Sequence, residues 1–370
     1  MPQPGENRPI QILVVDDSAV VRQVMHAVLS QEDDMEISVA ADPLIAMTKM
    51  KQKRPDVLLL DVEMPRMDGL TFLRNIMAED PIPTLICSGL AAQGTDVALR
   101  ALDLGAVGIV TKPKVGVNGF LHESALTLID MVRAASQARV RPRGLLPLLA
   151  KSPSPSPPPR RELRSPAAAV EKMIAIGAST GGTEALETVL TALSADAPAI
   201  VIVQHMPEFF TAAFAKRLNA TCRIPVKEAA DGDRLLPGAA FVAPGNRHLS
   251  VHRTGSDYIL QVHDGPLVSR HRPSVDVLFR SVARAAGPDS VGIIMTGMGS
   301  DGALGLLEMK RAGAYTIAQD EATSVVFGMP KQAIAERAVD HVAPLHDMAR
   351  LIMQSVHPVK PLRVVPAARP

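Results

Sequence analysis

The chain has 370 residues, of which 47% are hydrophobic and 21% charged, a composition typical of soluble globular proteins and unlike that of disordered chains. Its 39 basic and 38 acidic residues leave a formal charge of +1, which excludes the basic footprint that nucleic-acid binding needs. Because neither a signal peptide nor an apolar run of ~20 residues is present, we expect a cytoplasmic protein without membrane insertion.

The chain divides at a segment rich in proline, serine and arginine, residues 139–169. At 152–159 this segment contains only serine and proline, a composition typical of extended linkers that form neither helix nor sheet. The pattern predicts a first domain at 9–138, a second at 170–357 and a flexible tail at 358–370. Each domain is long enough to bury a core of its own.

Both domains alternate short β-branched runs with longer segments of helical spacing, which predicts βα units around parallel sheets. In the first domain the predicted strands are 10–15, 56–60, 84–87 and 106–110. In the second they are 173–176, 199–203, 291–295 and 315–318. Glycine, proline and asparagine punctuate residues 224–262, which predicts an antiparallel excursion there.

Polar side chains follow the predicted strands of the first domain, where ligands bind in open α/β sheets. They are Asp16, Asp17, Asp61, Ser88 and Lys112. Clustered carboxylates repel one another unless a cation neutralises them, and a hard cation such as Mg²⁺ suits their oxygens. One carboxylate could then attack a phosphoryl group while the lysine counters the charge on its oxygens.

Taken singly, each of these acidic residues could be a helix cap or a solvated loop residue. Together with residues 61–69, Asp-Val-Glu-Met-Pro-Arg-Met-Asp-Gly, and with Lys112-Pro113, they resemble the receiver domains of response regulators. A Mg²⁺-dependent phosphatase is the alternative, and it differs by turning over phosphate esters instead of accumulating an aspartyl phosphate.

The resemblance implies a flavodoxin-like (βα)5 fold with Asp61 as the phospho-acceptor. It also implies that Asp16, Asp17 and Asp61 bind Mg²⁺ and that Ser88 and Lys112 contact the phosphoryl group. Receivers commonly carry an aromatic residue three positions before the lysine, whereas this chain has Ile109. The usual aromatic rotamer switch is therefore in doubt.

The second domain carries a serine on a glycine-rich turn between a predicted strand and a predicted helix. Residues 177–182 read Gly-Ala-Ser-Thr-Gly-Gly and fit G-x-S-x-G in the setting that exposes a nucleophilic serine. A helix cap or a phosphate cradle in a non-catalytic binding module is the alternative interpretation.

Two further strand ends favour catalysis. His205 follows the strand at 199–203 and Asp301 lies beyond the strand at 291–295, so Ser179, His205 and Asp301 are expected at one sheet edge as nucleophile, base and orienting carboxylate. This chain order differs from the Ser, Asp, His order of α/β-hydrolases. The remaining histidines in turn-rich stretches are interpreted as surface side chains, namely His248, His252, His263 and His271.

Residues 176–185, 204–207 and 296–303 resemble the catalytic domain of chemotaxis protein-glutamate methylesterases. The resemblance implies a doubly wound, mainly parallel α/β hydrolase domain in which Ser179 is the nucleophile, His205 the general base and Asp301 its partner. It also implies that Thr180 and Met298 line the substrate and oxyanion environment.

By the same resemblance, the expected reaction is hydrolysis of glutamate γ-methyl esters to glutamate and methanol, with deamidation of glutamines as a second activity. No cofactor is expected for ester hydrolysis. The expected partners are methyl-accepting chemoreceptors as substrates and a chemotaxis histidine kinase as phosphodonor. The receiver is expected to cover the hydrolase cleft until Asp61 is phosphorylated.

Overall fold

The computed structural model describes residues 8–64, 68–89, 92–112, 118–142 and 170–356. Most of the predicted linker, 143–169, and the predicted tail at 358–370 lie outside these residues. The first unit runs in the order β1 (Ile10–Val15), α1 (Ala19–Leu29), β2 (Met35–Ala40), α2 (Pro43–Gln52), β3 (Val57–Asp61), α3 (Gly69–Glu79), β4 (Thr84–Ser88), α4 (Ala92–Asp103), β5 (Gly108–Thr111) and α5 (Asn118–Ser136).

The strands of the first unit form one sheet in the order β2-β1-β3-β4-β5, and every pair is parallel. This is the flavodoxin-like order, in which the carboxyl ends of the central strands meet at a switch point. Strands β3 and β4 are buried along their whole length, as expected for parallel strands covered by helices on both faces. The predicted fold of this unit is confirmed.

The second unit continues with β6 (Met173–Ala178), α6 (Gly182–Ala192), β7 (Ala199–Gln204), α7 (Phe210–Thr221), β8 (Val226–Glu228), β9 (Ala240–Val242), β10 (His248–Thr254), β11 (Asp257–His263), α8 (Val275–Ala285), β12 (Ser290–Ile294), α9 (Ala303–Arg311), β13 (Tyr315–Gln319), α10 (Met329–Ala335), β14 (His341–Ala343) and α11 (Met348–Val356). All strands except β10 and β11 belong to one parallel sheet, in the order β14-β13-β12-β6-β7-β9-β8.

The chain starts this sheet at β6, builds outward through β7 and then returns to place β12 on the other side of β6. That reversal is a topological switch point, where ligands bind beyond the carboxyl ends of the strands. The sheet therefore directs the residues after β6, β7 and β12 to a common edge.

The predicted antiparallel excursion at 224–262 is correct only in its second half. There β10 and β11 form an antiparallel hairpin in which His248 pairs with His263. In the first half, β8 and β9 pair in parallel and join the main sheet beside β7. Both strands have three residues, which is too short for a periodic pattern to separate a parallel edge strand from a loop.

The two units pack against each other. The guanidinium of Arg217 on α7 pairs with Asp103 of α4 and donates to the carbonyl oxygen of Leu99 at 3.2 Å. Buried side chains of α4 and β5 belong to the same hydrophobic cluster as those of β6, α6 and α7. The contact face of the first unit is therefore the α4 and β5 side of its sheet.

Within its described part, the chain contains no helix that is both long enough and apolar enough to cross a membrane.

The core of the second unit offers a test of the packing between α8 and α9. Phe279 on α8 is fully buried, whereas Leu304 on α9 is 48% exposed. We expect Phe279→Ala to lower the free energy of unfolding of this unit by about 3–5 kcal/mol, because the change removes buried surface and leaves a cavity. Urea denaturation followed by circular dichroism measures the loss. Leu304→Ala is the control and should change the free energy by less than about 1 kcal/mol; equal losses would contradict the packing.

Candidate phosphorylation and active sites

The carboxyl ends of β1 and β3 bring the three predicted metal ligands together. Carboxylate oxygens of Asp16, Asp17 and Asp61 lie within 4.8 Å of one another. Asp16 and Asp61 are buried, and Asp17 is exposed. The ammonium of Lys112 lies 2.6 Å from Asp61 Oδ2 and 3.1 Å from Asp16 Oδ2. These four residues thus form a compact cluster with one cation among three carboxylates.

The pKa shifts in this pocket follow from burial and from the paired charges. Burial raises the pKa of Asp16, although the charge of Lys112 opposes the rise. Burial alone would lower the pKa of Lys112, but its hydrogen bond to Asp61, its close contact with Asp16 and the negative charges of both carboxylates together outweigh this and raise the pKa. Oδ2 of Asp16 is buried and has the ammonium of Lys112 3.1 Å away as an ion-pair partner, but it accepts no well-directed hydrogen bond among the described residues. A hard divalent cation fits this oxygen set, because Mg²⁺ takes carboxylate ligands and prefers oxygen.

The two predicted phosphoryl contacts lie side by side at the ends of β4 and β5. Ser88 is buried and pairs with Thr111 across the two strands, and its carbonyl oxygen accepts the backbone N–H of Lys112 at 3.0 Å. Ile109, at the position usually aromatic in receivers, is buried on β5. It lines a cavity that also contains Ser179, so this strand runs from the phosphorylation pocket to the second unit.

The predicted nucleophile lies on a sharp turn directly after β6. The backbone N–H of Ser179 donates to Thr296 (3.0 Å), and its carbonyl oxygen accepts the side-chain amide of Gln204 (2.8 Å). Gly181 has φ of 77°, and a β-carbon there would lie 2.5 Å from Val325. Only glycine suits this point, because the conformation is left-handed and the neighbour is too close.

His205 follows β7 and lies between the other two predicted catalytic residues. Its Nε2 is 2.8 Å from Asp301 Oδ2, while its Nδ1 is buried without a partner in the described structure. Ser179 and His205 line one cavity. A neutral imidazole that donates Nε2–H to the carboxylate keeps a lone pair on Nδ1, so Nδ1 is the nitrogen free to accept a proton.

Asp301 is held at the amino terminus of α8. Its Oδ1 accepts the hydroxyl of Ser274 at 2.7 Å and the backbone N–H of Asp276 at 3.0 Å, and its Oδ2 accepts the N–H of Val275 at 2.8 Å. Burial alone would raise the pKa of Asp301, but the hydrogen bonds from His205 and Ser274 and the electrostatic interactions with His205 and His271 together outweigh it and lower the pKa below its ordinary value. The carboxylate is therefore ionised and fixed, as an orienting partner must be.

His271 is half-buried and stacks on the predicted base, a contact that its interpretation as a surface side chain did not anticipate. The rings of His271 and His205 are 3.8 Å apart at their centroids and inclined by only 7°. Nitrogen and oxygen atoms of His205, His271 and Asp301 come within 4.8 Å of one another. However, the lone pairs of parallel rings lie in parallel planes and cannot converge on one ion, which a tetrahedral metal site requires.

The other three histidines differ in burial. His252 is exposed as predicted and His263 is half-buried. His248 is buried, contrary to prediction, and its Nδ1 accepts the backbone N–H of Ser274 at 3.3 Å. It thereby supports the residue that binds Asp301.

Thr180 and Met298, both predicted to line the substrate environment, differ in their relation to the cavity. Thr180 is buried and lines the cavity with Ser179. Met298 is half-buried and is not among the described residues that line this cavity. Its neighbour Gly297 lies against the nucleophile, since a β-carbon there would be 2.6 Å from Ser179 Cβ.

Sequence reasoning missed Gln204 and Ser274 as well as His271. A strand-end position beside His205 could have indicated Gln204, and a serine cap before an amphipathic helix could have indicated Ser274. No sequence signal predicts the stacking of His271 on His205, because this contact depends on how the loop before α8 folds over the site.

The cavity at the predicted nucleophile is closed on one side by the first unit. Gly181 donates its backbone N–H to the carbonyl oxygen of Val107 at 3.2 Å. Five residues of the first unit line the cavity, namely Leu102, Val107, Gly108, Ile109 and Met131.

Comparison with known proteins finds matches to both units. The CheB methylesterase family matches residues 174–352, and the response regulator receiver domain matches residues 12–117. Protein-glutamate methylesterase/protein-glutamine glutaminase 1 of Anaeromyxobacter dehalogenans is 59% identical over 93% of this chain and 98% of its own. The protein numbered 3 with the same name in Geobacter metallireducens is 54% identical over 94% of this chain and 99% of its own.

Solved structures are also similar to parts of this chain. The catalytic domain of the CheB methylesterase of Thermotoga maritima is 36% identical, covering 50% of this chain and 97% of that one, with a TM-score of 0.49.

The stacked ring of His271 generates a prediction about pH. Burial, and then the proximity of His205, lower the pKa of His271 from 6.5 to about 3, so its ring is neutral throughout the range from pH 5 to 9. His271→Phe keeps a neutral stacked ring and should preserve both the rate of ester hydrolysis and the shape of its pH profile. His271→Ala exposes one face of the base and should lower kcat about tenfold.

The lowered pKa of His271 also predicts how the stability of His271→Phe and of the wild type will differ in acid. Unfolded His271 binds a proton below about pH 6.5, whereas the folded residue does so only near pH 3, so the folded state loses stability as the pH falls between these values. His271→Phe should therefore lose less stability between pH 6.5 and 4 than the wild type in urea denaturation. A Phe variant as impaired as the Ala variant would contradict the stacking role.

Proposed function

This chain belongs to the protein-glutamate methylesterase/protein-glutamine glutaminase family and carries a receiver domain, and from that premise we propose how its residues perform the reaction. The chain is a phosphorylation-activated serine hydrolase of chemotaxis-type signalling. It hydrolyses glutamate γ-methyl esters on the helices of chemoreceptors to glutamate and methanol, and it deamidates glutamines there with release of ammonia.

In the proposed mechanism, Ser179 Oγ attacks the γ-carbonyl carbon and passes its proton to His205 Nδ1. Asp301 stabilises the imidazolium through its bond to Nε2. Collapse of the tetrahedral intermediate expels methanol, which takes the proton from Nδ1, and leaves an acyl-enzyme. Water then attacks the acyl group, its proton passes to His205, and glutamate leaves as Ser179 recovers its hydrogen.

One observation carries this assignment: Ser179 and a His205 ring with a free Nδ1 share a cavity, while the opposite ring nitrogen is bound to Asp301. An amide substrate differs from the ester only in its leaving group, so the same three residues serve deamidation. We assign Thr180 and Met298 to the substrate and oxyanion environment, and we expect ester hydrolysis to need no cofactor.

A non-catalytic phosphate cradle at 177–182 is less compatible with the same turn. Three of its backbone N–H groups already have acceptors, since Ser179 donates to Thr296, Gly181 to Val107 and Gly182 to Ser179. A cradle instead needs several N–H groups directed at one anion. The turn thus favours a nucleophile over an anion site.

We further propose that Asp61 is the phospho-acceptor, that Asp16, Asp17 and Asp61 hold Mg²⁺, and that Ser88 and Lys112 contact the phosphoryl group. Bound Mg²⁺ would neutralise charge on the phosphoryl oxygens. Lys112 already lies 2.6 Å from Asp61, so it can pair with an added phosphoryl oxygen in place of a carboxylate.

The proposed partners are a chemotaxis histidine kinase as phosphodonor and methyl-accepting chemoreceptors as substrates, with the cytoplasm as the site of action. We expect neither nucleic-acid binding nor membrane insertion. The proposed division of the chain is a receiver at 9–138, a linker at 139–169, a catalytic domain at 170–357 and a tail at 358–370. The proposed linker begins in contact with the catalytic domain, since its first residue, Arg139, donates its backbone N–H to the carbonyl oxygen of Val325 at 2.9 Å.

The receiver is proposed to inhibit the hydrolase by occupying its cleft. The Val107 carbonyl holds the Gly181 N–H of the nucleophile turn, and Ile109 lines the cavity. Both residues precede Lys112 on or beside β5, so rearrangement of Ser88 and Lys112 around a phosphoryl group would reach the contact face through one short strand. Phosphorylation would thereby weaken the closed arrangement.

Removal of the nucleophile tests the reaction. We expect Ser179→Ala to lower methanol release from methylated receptor by at least about 10⁴-fold, since no hydroxyl remains to form the acyl-enzyme. Ser194→Ala removes a hydroxyl that bonds Asp196 and should leave the rate within twofold. Gas chromatography of methanol measures both. A Ser179→Ala variant that retains more than a few per cent of activity would contradict the assignment.

Removal of the receiver tests inhibition. A chain that begins at Glu171 should release methanol faster than the full-length unphosphorylated chain, because its cleft is open. In the full-length chain, Arg217→Ala should give part of this increase, since it breaks the contacts with Leu99 and Asp103. Arg223→Ala, an exposed neighbour, should give none.

If the shortened chain releases methanol no faster than the unphosphorylated full-length chain, the inhibition model is overturned. The hydrolase assignment is unaffected by that result.

A further inference from the structure

An exposed aromatic side chain stands at the loop that follows the catalytic base. Phe209 is 54% exposed, and its φ of 75° lies in the left-handed region. A bulky non-glycine residue in that region is uncommon and costs free energy. The residue lies four positions after His205 and immediately before α7.

Neighbouring contacts prevent the backbone at Phe209 from relaxing. Phe210 is fully buried, and its N–H donates to the carbonyl oxygen of Pro207 at 3.2 Å. On the other side, a β-carbon at Gly245 would lie 2.6 Å from the backbone of Glu208. The loop is therefore held on both flanks, with Phe209 in the left-handed conformation and its side chain exposed.

The fold itself gains little from a phenylalanine here. Glycine adopts the left-handed conformation without a steric cost, and a ring that is more than half exposed contributes little to the core. Four other phenylalanines of the second unit are buried, namely Phe210, Phe214, Phe241 and Phe279, and Phe327 is half-buried. An exposed, strained aromatic residue therefore requires an explanation outside folding, and strain of this kind clusters at functional sites.

The location connects Phe209 to the reaction. Pro207 lines the cavity that holds Ser179 and His205, and consecutive Cα atoms are about 3.8 Å apart, so Phe209 begins within about 8 Å of the cavity wall. The receiver closes another side of this cavity, yet the ring of Phe209 stays exposed. A protein substrate whose side chain enters the cavity would thus meet this ring at the rim.

We propose that Phe209 is a specificity-determining residue that packs against an apolar side chain one helical turn from the esterified glutamate of the substrate. The inference rests on the proposed function, in which the substrate glutamate projects from a receptor helix. Residues three or four apart on a helix have Cβ atoms about 5–6 Å apart on one face. A glutamate in the cavity therefore brings its apolar helical neighbour to the rim, where an aromatic ring offers a large contact area.

The test compares a protein ester with a small ester on the full-length chain activated with acetyl phosphate. Phe209→Gly should lower kcat/KM for methylated receptor in membranes about tenfold, through KM, because it removes a contact made in both the ground state and the transition state. Hydrolysis of N-acetylglutamate γ-methyl ester, which has no helix, should stay within twofold. The thermal midpoint of the catalytic unit should rise by about 2 °C, since glycine relieves the strain.

Two further variants separate the ring from the backbone. Phe209→Ala removes the ring but keeps a left-handed non-glycine residue, so it should show the kinetic loss without a rise in thermal midpoint. Phe209→Tyr keeps the ring and should retain wild-type kcat/KM on both esters.

The outcomes also distinguish a failure of the Phe209 proposal from a failure of the proposed function on which it rests. If the wild type hydrolyses the receptor ester and Phe209→Gly has the same kcat/KM for it, the role of Phe209 is overturned and the proposed function stands. Equal losses on the receptor ester and the small ester would do the same, because they would indicate damage to the catalytic residues. Wild type without activity on receptor ester overturns the proposed function, and the role of Phe209 with it.

Discussion

The proposed catalytic arrangement depends on one buried carboxylate. Asp301 is almost completely buried, and its two oxygens accept four hydrogen bonds, from Ser274, Val275, Asp276 and His205. A buried carboxylate is costly unless it is fully hydrogen-bonded, and the first turn of α8 supplies donors together with the positive end of the helix dipole. Because the charge is satisfied in only one position, the His205 ring bound to it is also fixed, and its Nδ1 has no partner among the described residues while the ring lines the same cavity as Ser179.

The same principle of parallel-sheet geometry builds both sites. In each unit, strands enter the edge with their carboxyl ends, and polar residues placed directly after them converge although they are far apart in the chain. The receiver sheet collects carboxylates and a lysine, whereas the hydrolase sheet collects a hydroxyl, an imidazole and a carboxylate. Strand β5 connects the two edges, because it carries Ile109 at the cavity and leads to Lys112 at the proposed phosphorylation pocket.

How far the sequence predicts this structure depends on the range of the interactions concerned. Long β-branched runs such as Ala199–Gln204 predict buried strands because the pattern is local, and the residues after them predict the site. The three-residue strands β8, β9 and β14 carry too little pattern to be recognised. The stacking of His271 and the bond from Gly181 to Val107 depend on loop and domain packing, which no local spacing encodes.

The central claim is that Ser179 is chemically activated by His205 inside a cleft that the receiver closes. The most direct measurement is the rate at which a fluorophosphonate labels the full-length chain, with and without beryllofluoride and Mg²⁺, with the labelled residue identified by mass spectrometry. The account predicts a single adduct on Ser179 that forms slowly without beryllofluoride, faster with it, and not at all in His205→Gln. An adduct on another serine, or labelling of the His205→Gln variant at the wild-type rate, would contradict it.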